Sequence, residues 1–244
     1  MSAVLRATVF DLDDTLIDTA DAWGRVCADF TAAHGHRWRP QDGRALHGNG
    51  QWASYVAGLC DGRVDTTDVV EACTDAMIVA CAAGQVRALP GAVALVRAAR
   101  RHGPVAVATA SPRRFVHTVL QHLGLDGLMA AVVCGEDVTR AKPAPDPYLR
   151  AAASIGLAPA RCLAVEDSPT GIRSAATAGM PVLAVPRRRM TLPADVAHLP
   201  AAHAPDAVQA LPVLTGLLSG LVDRPEPDRP VNGRIPEADT MGIR

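Results

Sequence analysis

The sequence predicts an α/β fold: a doubly wound parallel sheet with helices on both faces, interrupted after its first strand by an inserted helical segment. Three observations predict it. From about residue 91 onward, short β-prone apolar runs alternate with amphipathic helical stretches. Glycines at 103, 124, 156 and 179 close successive helices. Before that, residues 20–86 have helical spacing and no convincing strand.

Taken in order, residues 6–10 (RATVF) are short, apolar and β-prone, and run into the acidic segment DLDDT at 11–15, as a buried strand opening into a loop. Residues 19–34, 51–60 and 66–83 read as helices, and 35–50, rich in Gly, His and Arg, as loop. The Leu89-Pro90-Gly91 breaker ends this pattern. Helices are then expected at 91–102, 113–123, 145–155 and 169–178, and strands at 104–109, 130–134, 162–165 and 181–185. A last helix covers 205–221. The Pro- and charge-rich tail 222–244 is expected to be disordered. The domain reading is therefore a core of 1–19 plus 87–221, with 20–86 inserted.

Composition narrows the function. Residues are 49% hydrophobic but only eight are aromatic, so the core must rest on Ala, Val and Leu. A net charge of −1 recruits neither nucleic acid nor an anionic membrane. No apolar run approaches the roughly 20 residues of a membrane span. The N-terminus lacks the apolar stretch and cleavage site of a secretory signal. The six cysteines form no CxxC and read as reduced, mostly buried residues of a cytoplasmic protein. Arginine occurs 23 times and lysine once, at Lys142.

The polar residues that follow the strands are the chemical signal. Asp11, Asp13 and Asp14 follow the first strand, Thr109 and Ser111 the second; Lys142 lies within eight residues of the third; Glu166 and Asp167 follow the fourth. In a parallel sheet these ends share one edge, where ligands bind. Crowded carboxylates call for a hard divalent cation with oxygen ligands. A lysine and a hydroxyl beside it suit a phosphoryl group, toward which a carboxylate can act as nucleophile. Each feature alone has a plainer reading; Glu166-Asp167-Ser168, for instance, would also cap the helix starting at Pro169.

These residues resemble the haloacid dehalogenase superfamily, in its helical-cap branch that includes β-phosphoglucomutase and phosphoglycolate phosphatase. DLDDT at 11–15 is similar to the motif DxDxT, and VAVATAS at 105–111 to the second-motif strand. AKPAPDPY at 141–148 is similar to KP-x-PD-x-[FY], and VEDSPTGI at 165–172 to [ED]DS-x-x-G-[IV]. The resemblance implies a Rossmann-like core with a helical cap and a magnesium-dependent phosphatase acting on a small phosphorylated metabolite. By it, Asp11 attacks phosphorus and becomes an aspartyl phosphate, while Asp13 protonates the leaving oxygen and then takes a proton from water. Thr109 and Lys142 hold the phosphoryl oxygens, and the backbone amides of Leu12 and Ala110 complete the cradle. Mg2+ is bound by Asp11, the carbonyl of Asp13, and Asp167. Glu166 and Ser168 act from behind these ligands, Glu166 directly or through water. The compact ammonium of Lys142 fits where arginine's wider fork would not.

Within the family, Asp13 argues against dehalogenation, and the absence of lysine from 20–86 argues against phosphonatase chemistry. Phosphomutases share the core motifs but add a histidine near position 23, here Trp, and an arginine that the segment 48–54 lacks. Arg25, Arg37, Arg39, Arg44 and Arg63 leave a second-phosphate site in the cap open. A non-catalytic phospho-ligand module would be expected to lose Asp11 or Lys142. A Rossmann dinucleotide domain would carry GxGxxG where DLDDT stands. Candidate contacts to the substrate are Trp23, His47, Asn49, Gln51, Trp52, Tyr55 and Arg113, with Arg114 beside it. The expected assembly is a monomer or homodimer, and the expected substrate a sugar phosphate or small acid phosphate.

Overall fold

The computed structural model describes residues 4–186 and 190–220. The elements run β1 (Ala7–Phe10), β2 (Ile17–Asp18), α1 (Ala20–Ala33), α2 (Pro40–Leu46), α3 (Trp52–Gly58), α4 (Thr66–Ala82), β3 (Arg87–Ala88), α5 (Ala92–His102), β4 (Val105–Ala108), α6 (Arg113–His122), β5 (Met129–Val133), α7 (Asp146–Ser154), β6 (Cys162–Glu166), α8 (Pro169–Thr177), β7 (Val182–Ala184), β8 (Ala202–His203) and α9 (Ala207–Ser219). The expected disordered tail lies outside the described residues.

Six strands form one parallel sheet in the order β5-β4-β1-β6-β7-β8. β1 is central, with Phe10 level with Val107 of β4 and Val165 of β6. That register brings the segments after β1, β4 and β6 to the same edge. The central strands are apolar on both faces, as buried parallel strands must be. Phe10, Val105, Val107, Leu163 and Val165 point into one core with α5, α6 and α9. Ala7, Val9, Ala106, Ala108, Cys162 and Ala164 point into a second core with α7 and α8. The smaller side chains on that second face draw α7 and α8 close, and this puts Tyr148 of α7 against the sheet.

The helical segment leaves and re-enters the core through a short antiparallel ribbon, Ile17 with Ala88 and Asp18 with Arg87. This ribbon is below the length that period-2 alternation can reveal, so sequence reading missed it. The helices α1–α4 enclose a small apolar cluster of their own, built on Cys27, Val56, Val69 and Cys73. Trp23 and Val26 pack against both this cluster and the large core. One expectation is corrected: residues 35–50 are not all loop, because Pro40 starts α2. Proline suits the first helical turn, and the Asp42 carboxylate accepts the Arg39 N–H at 2.8 Å, capping it. The two-residue strand β8 was likewise not foreseen. All six cysteines are buried and free. No helix among the described residues is long and apolar enough to cross a membrane.

Candidate active site

The strand ends converge as expected. Asp11, Asp13, Thr109, Ala110, Lys142, Asp167 and Ser168 line one cavity of about 140 Å³ between the sheet edge and the helical layer. Asp14 and Ser111 line it too.

Lys142 is its electrostatic centre. Its ammonium, 3% exposed, lies 2.6 Å from Asp11 Oδ1 and 2.6 Å from Glu166 Oε1. It also sits 5.1 Å from the centroid of the Tyr148 ring, in cation–π contact. Burial pulls the ammonium pKa down, but the charges of Asp11 and Glu166 outweigh it and the net shift is upward. The lysine is therefore charged whenever the protein is folded.

Glu166 organises this group. Its Oε1 accepts from Lys142 and from the Tyr148 hydroxyl at 2.8 Å, and its Oε2 from the Asp167 N–H, the Ser168 N–H and the Ser168 hydroxyl. Such a fully satisfied buried carboxylate is stable in place. Ser168 in turn caps α8, accepting the Gly171 N–H at 3.1 Å. Tyr148 was not singled out in the sequence, although it closes the AKPAPDPY segment. Its phenol is pushed up by burial and by the Glu166 charge, so it stays a hydrogen-bond donor.

Asp13 is held differently. Thr19 Oγ1 and Trp23 Nε1 donate to its Oδ1 at 2.8 and 2.9 Å, and Ser111 Oγ and Thr109 Oγ1 to its Oδ2 at 2.6 and 3.2 Å. Thr109, expected on a phosphoryl oxygen, here faces Asp13 and accepts the Ser111 N–H at 3.0 Å. Thr19 was not singled out in the sequence, and Ser111, expected at this edge as a hydroxyl, is given Asp13 as its partner. Leu12 buries its side chain in the core, and its carbonyl accepts the Leu16 and Ile17 N–H groups. Asp14, at φ 61°, turns its carboxylate onto the N–H groups of Thr19 and Ala20, both 3.1 Å away. It thereby fixes where α1 leaves the core.

The carboxylates fit a divalent cation. One oxygen each from Asp11, Glu166 and Asp167 lie within 4.8 Å of one another. Asp167 is buried, and its Oδ2 accepts no hydrogen bond. Burial, and then the charges of Asp11, Glu166 and Asp14, push the Asp167 carboxyl well up. Asp11 is pushed up to about 8 by burial, with Lys142 opposing and Glu166 and Asp13 adding. Two buried carboxyls under such strain, one with an orphaned oxygen, fit a hard cation bound by oxygen. Asp14, His47 and Asp167 form a second group within the same distance, with the imidazole 3.6 Å from Asp14 Oδ2 and 3.5 Å from Asp167 Oδ2.

The helical layer meets this edge through residues 47–50. Gly48 has φ +62°, and a Cβ there would lie 2.6 Å from Thr170 Oγ1; at Gly50 it would lie 2.5 Å from the Lys142 carbonyl. Only glycine permits both the backbone turn and this close approach. Of the candidate substrate contacts, Trp23, His47, Asn49 and Trp52 line the cavity. Three do not. Gln51 lines a neighbouring crevice. Tyr55 turns its hydroxyl onto Asp42 at 2.9 Å, within the helical layer. Arg113 is half exposed and pairs with Asp137 at 2.6 Å, and its neighbour Arg114 reaches Asp75.

Known proteins resemble this chain in sequence and in fold. A family model described as haloacid dehalogenase-like hydrolase matches residues 5–179. Protein CbbY of Rhodobacter capsulatus is 34% identical over 194 residues, covering 75% of this chain and 86% of the relative. Fructose-1-phosphate phosphatase YqaB of Escherichia coli strain K12 is 31% identical over 174 residues, covering 70% and 92%. The crystal structure of CbbY from Rhodobacter sphaeroides in complex with phosphate superposes with a TM-score of 0.75 at 24% identity, over 84% of this chain and 96% of that one.

Proposed function

The chain belongs to the haloacid dehalogenase-like hydrolases, and on that footing we propose that it is a phosphoric monoester hydrolase acting on a small phosphorylated metabolite through an aspartyl-phosphate intermediate. The observation that carries this reading is the convergence of Asp11, Asp13, Thr109, Lys142 and Asp167, from four separate strand ends, on one cavity. The phosphatase name of the YqaB relative supports it.

The chemistry follows from the side chains. An Asp11 carboxylate oxygen attacks phosphorus, and the P–O bond to the leaving group breaks. Asp13 delivers a proton to that departing oxygen. Water then attacks the aspartyl phosphate while Asp13 takes up the water's proton, which releases inorganic phosphate and restores Asp11. Lys142, charged and fixed between Asp11 and Glu166, neutralises the phosphoryl oxygens gathered at Asp11. Glu166 and Tyr148 keep the lysine from straying. Ser111 and Thr109, Thr19 and Trp23 set the direction of Asp13.

Mg2+ is the cation this donor set suits, held by Asp11 and Asp167 with the Asp13 carbonyl; Glu166 is already satisfied by five hydrogen bonds and acts from behind. When bound, it supplies the countercharge that keeps Asp11 and Asp167 ionised. In this reading residues 20–86 act as the cap and 1–19 with 87–221 as the core.

The test is phosphate release from a panel of phosphorylated metabolites, with Mg2+ and with EDTA, using Asp11→Asn as control. Release that needs Mg2+ and disappears in Asp11→Asn is the expected result. No release from any compound, or release undiminished in Asp11→Asn, refutes the proposal.

A further inference from the structure

The wall of the cavity beside Asp13 is aromatic. Trp23 and Trp52 pack with ring centroids 5.0 Å apart at 50°, and the Trp23 ring also meets Phe115 edge-on at 5.6 Å. The Trp23 indole is held in place by its N–H bond to Asp13. Cys27 and Leu46 extend this apolar wall.

Of the polar groups of the helical layer that line the cavity, Asn49 is engaged within the layer and His47 faces the carboxylates of the phosphoryl end. Asn49 lines the cavity, but its amide donates to the Ala45 carbonyl at 3.0 Å and its oxygen accepts the Gln51 N–H at 2.8 Å. His47 stands between Asp14 and Asp167. The five arginines of the layer, at 25, 37, 39, 44 and 63, are all exposed, and none lines the cavity. Arg63 instead donates to the His34 carbonyl. Among the described residues lining the cavity, Lys142 carries the only side chain with a fixed positive charge, and it is committed at the phosphoryl end.

We infer that the substrate is a monophosphate whose alcohol portion is uncharged and presents an apolar face, such as the C–H face of a sugar or cyclitol, to the Trp23–Trp52 wall. This deepens the phosphatase reading and rests on it. A C–H face gains from contact with an aromatic ring. A second phosphate or a carboxylate would be desolvated against indole with no fixed cation to meet it, the His47 imidazole standing between Asp14 and Asp167, which is unfavourable. The wall therefore selects against bisphosphates and phosphorylated acids by the absence of a partner, and for neutral sugars by contact.

The experiment measures kcat/KM for fructose 1-phosphate, fructose 1,6-bisphosphate, phosphoglycolate and acetyl phosphate in wild type, Trp52→Ala and Trp52→Phe. The expected result is a preference of about tenfold or more for fructose 1-phosphate over the two compounds that carry a second charged group, the size of one lost charged contact. Trp52→Ala should lower kcat/KM for fructose 1-phosphate about tenfold, mainly through KM, with acetyl phosphate changed less than about threefold. Trp52→Phe, which keeps an aromatic face, should recover most of the loss. If the bisphosphate or phosphoglycolate matches or exceeds fructose 1-phosphate in wild type, the inference is overturned; this arm does not depend on either variant folding. If acetyl phosphate is not hydrolysed either, the phosphatase reading itself has failed. Calorimetric binding of the same sugar phosphates and phosphoglycolate to Asp11→Asn then decides the charge preference independently of turnover. Equal affinities for the compounds with one charged group and those with a second overturn it.

Discussion

Replacing Lys142 by Met isolates the balance of charge at the centre of the site. Methionine keeps the length and apolar stem of lysine and removes its charge. Asp11 and Glu166 would then face each other with side chains 9% and 0% exposed and no cation between them. Breaking a buried ion pair by deleting one partner costs about 3–5 kcal/mol, and here one ammonium serves two carboxylates, so the upper half of that range applies. The cost should depend on pH. Asp11 is already raised to about 8 from its ordinary value of 3.8 by burial, with Lys142 opposing the rise. Removing the lysine raises it further. A carboxyl raised in the folded state takes up a proton on folding, so its contribution favours the folded protein below the unfolded pKa and is lost as pH rises through the folded one. The deficit of Lys142→Met should therefore be smaller near pH 6.5, where the folded Asp11 carboxyl is neutral with or without the lysine, and grow as pH rises through about 8 toward about 9.5, where Asp11 ionises beside the lysine in wild type and has no cation in the variant. Urea unfolding of wild type and variant in EDTA at both pH values gives the two differences directly. A deficit below about 1 kcal/mol at pH 9.5, or one that does not grow from pH 6.5 to 9.5, would refute the reasoning.

Further outcomes follow from neighbouring contacts. In Gly171→Ala the new Cβ would fall 1.7 Å from Glu166 Oε1 and 2.0 Å from its Cδ, so α8 or the glutamate must move. The expected loss is about 1–3 kcal/mol from overpacking, seen as a lower Tm, together with reduced phosphate release as Lys142 loses its anchor. Trp23→Phe keeps the aromatic wall but removes the 2.9 Å N–H bond to Asp13. A bond to a charged acceptor contributes about 1.5–3 kcal/mol, which bounds the loss in kcat/KM at about 10- to 150-fold. The loss should appear with a sugar phosphate, whose poor leaving group needs the Asp13 proton, and far less with acetyl phosphate; equal losses on both would contradict the positioning role. Mg2+ in about 100-fold excess over its Kd should stabilise wild type by about 2.7 kcal/mol and raise its Tm. Asp167→Asn, lacking the orphaned carboxylate, should show little of this shift, and a full shift would remove Asp167 from the metal site.

The alternation of strands and helices from β1 to β7 was legible because buried parallel strands and amphipathic helices differ in period and are punctuated by glycine. So was the set of polar residues at the strand ends, because a parallel sheet carries every such end to one edge. The lone lysine was informative in a chain that otherwise uses arginine, and the structure puts it where three segments meet. Other features depended on atoms far apart in sequence. The Ile17–Asp18 and Arg87–Ala88 ribbon is too short for periodicity and forms only because the chain leaves and returns at one place. Tyr148 looked like an ordinary helix residue until packing of α7 aimed its hydroxyl at Glu166, and Ser111, placed at the strand edge by the sequence, was given its Asp13 partner only by the turn after β4. Gln51, Tyr55 and Arg113 were as plausible as Trp23, His47, Asn49 and Trp52 on the sequence, since a helical repeat says which residues share a face but not what that face meets. Side-chain chemistry and strand order are local properties and can be read along the chain. Which polar atoms find partners, and which are left facing the cavity, is set by the docking of the helical layer on the sheet edge, a contact between surfaces that no local pattern encodes.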